Sequence, residues 1–226
     1  MSGATTGCET LALYADASPA ARVHVWVRWH SCPFPAIAAE LPRSGRILEV
    51  GCGHGLMAAF LAMESHARTV RGIDVAPGKV REARTAAERA RHRGADLEFT
   101  CVQPGELPPG PWDAIVVVDV LYLLEEAAQR SLLERSAGLL APGGVLAVKE
   151  MSTHPRWKFR WNEVQETLAV RLFRITWGGQ FTFLPPSAME GAMRELGLQA
   201  CSRRLDRGRP YPHHLLVGRR PGKDDG

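Results

Sequence analysis

Glu49, Gly51, Gly53, Gly55 and Asp74 are the residues of this 226-residue chain whose types and spacing most directly imply chemistry. In "ILEVGCGHG", residues 47–55, an apolar run passes straight into three alternating glycines. Glycine lets a strand turn sharply into a helix while the backbone approaches a ligand, because no Cβ stands in the way. Dinucleotide, phosphate and other nucleoside sites all use such loops. Asp74 ends the next apolar run, "GIDV", where a carboxylate can accept both hydroxyl hydrogens of a ribose. The expected ligand therefore contains a nucleoside. No Lys-Ser/Thr follows the glycines, which argues against a loop cradling a triphosphate, and the third glycine comes one residue early for G-x-G-x-x-G.

The elements that must position these residues follow from periodicity. From Arg46 onward the β-branched runs "RILEV", "TVRGIDV", "DLEFTCV", "WDAIVVVDV" and "GGVLAVKEM" alternate with mostly helical patterns, as a parallel sheet requires. "DAIVVVDV" and "VLAVK" are nearly continuous apolar runs, the pattern of strands covered on both faces, so the expected fold is a doubly wound α/β sheet. After residue 150 the chain changes to a long amphipathic segment, a Gly-Pro-rich connection and a helix opened by Ser187. Two further strands, "LQACSRRLD" and "HHLLVGRR", come last. Before Arg46, a break at Cys32-Pro33 and the connector Pro42 to Gly45 divide the N-terminal segment into two helices and a lead-in loop.

Composition bounds the class. With 45% hydrophobic and 23% charged residues and a net charge of +4, the chain reads as one ordinary globular domain with short additions. No apolar run approaches the ~20 residues of a membrane span, and the start lacks signal-peptide grading, so a cytoplasmic location is expected. Cys8, Cys32, Cys52, Cys101 and Cys201 are scattered and never form C-x-x-C, so they are expected to be reduced, mostly buried thiols, with no metal site.

Together, "ILEVGCGHG", "GIDVAPGKV", "WDAIVVVDVLYLL" and "LLAPGGVLAVKE" resemble the class I S-adenosylmethionine-dependent methyltransferases across residues 44 to 150, with the terminal hairpin also fitting. The resemblance implies a Rossmann-like, mostly parallel seven-stranded sheet with an antiparallel last strand. It implies a helical N-terminal cap (1–43), a cofactor-binding core (44–150), a lid or acceptor-pocket insertion (151–186), a last helix and hairpin (187–220) and a tail (221–226). It also implies S-adenosylmethionine as cofactor and S-adenosylhomocysteine as product. Carried over residue by residue, Glu49 and the loop of Gly51, Cys52, Gly53 and Gly55 would hold the methionine part. Asp74 would take the ribose, and Val75 would lie against the adenine. Gln103, beside Pro104, stands where the family usually has Asp reaching the adenine amino group; its carbonyl oxygen can accept the same bond. Asp119 and Val120 would lie near the amino-acid end, and Tyr14 resembles an N-terminal tyrosine that closes over the cofactor. Two plainer readings stay open at this point, an arginine pair for Glu49 and an ordinary loop role for Gln103.

Methyl transfer from a sulfonium is an in-line displacement, so alignment and exclusion of water supply much of the acceleration, and a base is needed only where the acceptor loses a proton. Open α/β sheets bind ligands at the carboxyl ends of their strands, where the candidate bases are Glu150, His154 and His213. If the terminal hairpin lies beside the fifth strand, Tyr211 and His213 should approach Glu150, with His213 and His214 facing opposite ways. In "HPRWKFRWNEVQETLAVRLF", Trp157, Trp161, Val164, Leu168 and Leu172 share one helical face. That face is either a stripe packed on the sheet edge or a wall over an apolar acceptor; Trp157, Trp161 and Tyr211 are the expected pocket residues.

The expected reaction is methylation of a small apolar, aromatic, polyketide-like or lipid-like molecule, with oxygen the favoured atom, by a monomer or homodimer. The alternatives are an RNA methyltransferase, suggested by the arginines, and a catalytically silent cofactor-binding partner. Base-amino methylation is disfavoured because "DVLY" stands where such enzymes often carry Asn/Asp-Pro-Pro-Tyr/Phe.

Overall fold

A computed structural model describes residues 3–151, 182–205 and 213–222 of the chain. The elements run α1 (Gly3–Ala12), α2 (Pro19–Ser31), α3 (Phe34–Ala38), β1 (Gly45–Val50), α4 (Leu56–Glu64), β2 (Arg68–Asp74), α5 (Pro77–Arg91), β3 (Asp96–Cys101), β4 (Trp112–Val118), α6 (Glu126–Gly138), β5 (Leu140–Met151), α7 (Pro186–Glu195), β6 (Gln199–Arg204) and β7 (His213–Arg219). A 3₁₀ turn, Leu121–Leu123, follows β4. One seven-stranded sheet has the order β3-β2-β1-β4-β5-β7-β6. Its first five strands are parallel, and β7 runs antiparallel to both β5 and β6. This is the doubly wound sheet with an antiparallel last strand that the apolar runs and the family resemblance imply.

Alternation along the strands divides the core in two. Ile47, Val70, Leu97, Ala114, Val116, Ala147 and Leu215 face α4 and α5. Leu48, Ile73, Ile115, Val117, Leu146, Val148 and Leu216 face α6 and α7. Helix α4 buries all of Leu56–Met63, because it is covered by the sheet on one side and by α1 and α3 on the other. The strand order reverses between β1 and β4, where α/β sheets open a crevice at the carboxyl ends. The glycine loop follows β1 and lies at that point.

Helix α1 lies inside the stretch 1–43 expected as a helical cap. It packs on α4 through buried Thr6 and Thr10, with Gly7 against the Trp29 ring, and so carries no apolar stripe to announce it. The thiols differ from expectation: Cys32 and Cys52 are buried, whereas Cys8, Cys101 and Cys201 are exposed. The hairpin strands place Cys201 on an edge with one face uncovered. No helix among the described residues is long and apolar enough to cross a membrane.

Candidate active site

The first half of the site is made of backbone. Gly51, Gly53 and Gly55 have φ of 73°, 55° and 78°, the left-handed region that residues with a Cβ avoid. A Cβ on Gly51 would collide with Val120, and one on Gly55 with the Phe99 ring, so two of the three glycines are also required by close packing. Above Gly53 the one neighbour within 4 Å among the described residues is Lys79 Cδ, 3.9 Å from where a Cβ would stand.

Four anchors fix the loop. The amides of Gly51 and Cys52 donate to Ile73 O at 2.8 and 2.9 Å. Asp74 accepts from Gly53 N through Oδ2 (2.7 Å) and from Ala76 N through Oδ1 (2.8 Å). Its carboxylate thus keeps about half of its four acceptor directions for a ligand. Tyr14 donates its hydroxyl hydrogen to His54 O at 2.8 Å. Glu49 Oε2 accepts from Ala58 N at 2.9 Å. The N-cap of α4 is Gly55, which has no side chain to cap with, so Glu49 reaches from β1 to one of the orphan amides of the first turn. Burial, reinforced by the charge of Asp74, pushes its pKa up to about 8. Burial also raises the Tyr14 hydroxyl well above its ordinary range.

Val75 sits beside the exit of β3. Val102 N donates to Asp74 O at 3.1 Å, and Cys101 Sγ lies 3.8 Å from Val75 O. Gln103 and Pro104 follow on the exposed rim. The His24 ring on α2 lies 4.7 Å from that of His54 in the loop, so α2 passes over the glycines.

The second half is made of charged side chains. Asp119, after β4, is a left-handed residue that is not glycine (φ 57°), a conformation held only where its surroundings impose it. Lys149 Nζ donates to its Oδ1 at 2.6 Å, and Arg28 Nη1 of α2 lies 2.8 Å from Oδ2. Burial opposes ionisation of Asp119, but Lys149 and Arg28 outweigh it and hold the carboxyl well below the usual range. Glu150 points to the other face of the sheet, where Oε1 accepts from Val120 N (3.1 Å) and Leu121 N (2.9 Å). Its Oε2 is buried without a hydrogen-bond partner among the described residues, and Glu150 borders a cavity of about 10 Å³ lined by Leu121, Tyr122, Gln129, Phe183 and Met189. Burial, then the charge of Asp119, pushes its pKa up to about 8.

His213 does not approach Glu150 as the topology suggested. Glu150 pairs with His214 and Met151 with His213, so Glu150 and His213 face opposite sides of the sheet. The His213 imidazole is lowered to about 4 by burial and by Lys149, and is neutral at pH 7. Its Nε2 lies 2.9 Å from Ser31 O; a carbonyl only accepts, so Nε2 carries the hydrogen. His154, Trp157, Trp161 and Tyr211 lie outside the described residues.

This geometry agrees with what known proteins show. Residues 48–146 match the methyltransferase domain family. The ubiquinone biosynthesis O-methyltransferase of Neisseria meningitidis is 30% identical over 115 residues, covering 50% of this chain and 47% of that protein. The trans-aconitate 2-methyltransferase of Paracidovorax citrulli is 32% identical over 123 residues, covering 52% and 44%. The magnesium protoporphyrin IX methyltransferase of Synechocystis, solved with bound S-adenosylhomocysteine, superposes with a TM-score of 0.63 at 17% identity, covering 88% of this chain and 84% of that one. Over residues 48–146 the chain is similar to methyltransferase domains, and its fold is that of S-adenosylmethionine-dependent methyltransferases. It spans about half the length of the named relatives it matches.

Two residues of the site escaped sequence reasoning. Arg28 and Lys149 fix Asp119, yet in the sequence they read as an ordinary helix cation and the end of an apolar strand. The one signal that could have found Lys149 is its place inside "VLAVKE", where a charge interrupts a run buried on both faces.

Proposed function

We propose that this chain transfers a methyl group from S-adenosylmethionine to a small molecule with an apolar or aromatic body, at oxygen. The observation that carries the reading is the left-handed glycine loop tied to a carboxylate at the end of β2 that still has free acceptor directions. Asp74 would accept the ribose hydroxyls, Val75, Gln103 and Pro104 would flank the adenine, and the loop from Gly51 to Gly55 would receive the methionine part. Asp119 and Val120 would border its amino-acid end, with Tyr14 and Glu49 holding the loop in shape. When bound, the cofactor supplies an electrophilic methyl on a sulfonium.

The chain's own contribution is alignment and removal of water. Glu150, buried beside the cavity, would take a proton from an acceptor hydroxyl; with a pKa of about 8 only its minority ionised form can do so at pH 7, and turnover would rise as pH approaches 8. His154 and His213 are the other candidate bases, and Trp157, Trp161 and Tyr211 would wall the acceptor from segment 151–186 and the hairpin. The stacked rings of Tyr122 and Phe183, 5.4 Å apart, add an aromatic surface at the β4 exit. The named relatives, one in ubiquinone biosynthesis and one acting on trans-aconitate, favour a small acceptor.

The test is calorimetric titration of the native chain and Asp74→Ala with S-adenosylmethionine and S-adenosylhomocysteine, with NAD as control. Binding weakened about tenfold or more by Asp74→Ala is expected, the loss of one or two hydrogen bonds to a charged group. Tighter binding of NAD, or no binding of either methyl-donor form, overturns the reading.

A further inference from the structure

Three charged groups meet at the β4 exit, and their charges do not cancel. Arg28 and Lys149 share the single carboxylate of Asp119. Among the described residues no second carboxylate contacts either cation. The Lys149 side chain is fully buried and that of Asp119 is 8% exposed, so an excess positive charge is held where water screens it poorly, a costly arrangement without a partner. Among the described residues the neighbouring groups do not supply one: Glu49, which feels the charge of Arg28, is itself raised to about 8 and mostly protonated at pH 7. Glu150 turns to the opposite face and spends one oxygen on two amides; its raised pKa keeps it mostly protonated at pH 7. His213, on the same face as Lys149, is neutral.

Arg28 is the accessible end of this cluster, with 30% of its side chain exposed. A guanidinium presents five N–H donors in a planar fork. One nitrogen faces Asp119, and the Phe34 ring lies 6.0 Å from the guanidinium carbon. The remaining donors match the two parallel bonds that a carboxylate accepts from arginine. The position is at the carboxyl ends of β4 and β5, on the far side of the switch point from Asp74, and its partner Asp119 lies three residues before Tyr122, whose ring stacks on Phe183.

We propose that Arg28, backed by Lys149 through Asp119, is the receptor for a carboxylate carried by the methyl acceptor. The acceptor class is then an organic acid with an apolar or aromatic body. Lys149 keeps Asp119 ionised and in place, Asp119 orients the guanidinium, and the incoming carboxylate neutralises the cluster. This rests on the methyl-transfer reading above. Because the cofactor also carries a carboxylate, the test must separate the two sources.

The full chain, Arg28→Gln and Arg28→Lys are titrated with S-adenosylhomocysteine and with 5′-methylthioadenosine, a nucleoside lacking the amino-acid group. Each protein, saturated with S-adenosylhomocysteine, is then titrated with the matched pairs 4-hydroxybenzoate and 4-hydroxybenzamide, and cinnamate and cinnamamide. On the native chain the acids should bind roughly tenfold tighter than the amides, the scale of a charge-assisted bidentate pair. Arg28→Gln should abolish that preference and Arg28→Lys retain part of it, with affinity for S-adenosylhomocysteine kept in both. Equal binding of acids and amides to the native chain, or no binding of any acid, overturns the inference. So does a selective loss of S-adenosylhomocysteine binding in Arg28→Gln with 5′-methylthioadenosine unaffected, which assigns Arg28 to the cofactor's carboxylate. Failure of the native chain to bind S-adenosylhomocysteine instead refutes methyl transfer itself.

Discussion

The ends of β1 and β2 and the ends of β4 and β5 solve the same problem with different materials. At β1 and β2, three left-handed glycines and five loop and helix amides are gathered by one carbonyl and two carboxylates within residues 49–76. At β4 and β5, one left-handed aspartate is held by cations from α2 and β5 that lie far from it in sequence. Backbone polar groups are neutral and local, so the first arrangement tolerates little change at the glycines and asks little of distant elements. Charged side chains act through a buried network, so the second depends on α2 staying where it is.

The most damaging test of the second region is Asp119→Leu. It leaves the fully buried Lys149 without its carboxylate, and breaking such a pair costs ~3–5 kcal/mol. Urea unfolding should show the loss, and Lys149→Met combined with Asp119→Leu should recover most of it, since the stranded charge is gone. A single substitution that leaves the midpoint unchanged shows that the ion pair contributes nothing. The matching test of the first region is Gly55→Ala. The new methyl meets the Phe99 ring at a φ of 78°, and overpacking with a left-handed backbone sums to about 2–4 kcal/mol. S-adenosylhomocysteine affinity should fall with stability here, because the same carbon deforms the loop.

One acid in each region carries a raised pKa, and that allows a direct comparison. Glu49 and Glu150 both stand at about 8 when folded, against roughly 4.3 for an unfolded glutamate. Between those values the native state holds a proton that the unfolded chain releases. The associated stability is therefore fully present below about pH 4.3 and is lost as pH rises toward 8. Glu49→Gln and Glu150→Gln should each flatten this decline in a series of melting temperatures against pH. A slope unchanged by either substitution means that the acid is ionised in the folded protein.

The two regions also differed in how far they could be read from sequence. The glycine loop, Asp74 and the strand succession were legible because positive φ and close approach restrict the residue type at each position. Arg28 and Lys149 were not, because long cations are solvated by default and nothing local in the chain marks the carboxylate they meet. Glu150 and His213 were placed together by topology alone. A register that pairs residue 150 with 214 sends them to opposite faces, and alternation is not fixed until the register is known. Helix α1, within the stretch expected as a helical cap, shows no apolar stripe of its own because buried Thr6 and Thr10 meet α4.

The smallest expected effect bears on α2, which joins the two regions. It buries only Ala21 and Val25, while Val23, Trp26 and Val27 are 64%, 58% and 47% exposed. It is attached through Trp29 against Phe60 and Gly7, His24 at the glycine loop, Arg28 at Asp119 and the Ser31 carbonyl at His213. A helix with so little apolar burial depends on its own ends, and Ser18 accepts from Ala21 N at 3.3 Å as its N-cap. Ser18→Ala should cost ~1 kcal/mol. If α2 opens as a local unit, the loss appears as roughly fivefold faster hydrogen exchange at the α2 amides alone. Amides of β1 and β4 should keep their protection, with the midpoint of global unfolding little changed. Uniform acceleration across the sheet would instead make α2 part of the global cooperative unit. Arg28 would then be fixed as rigidly as the glycines, and the contrast between the two regions would be one of material only, not of mobility.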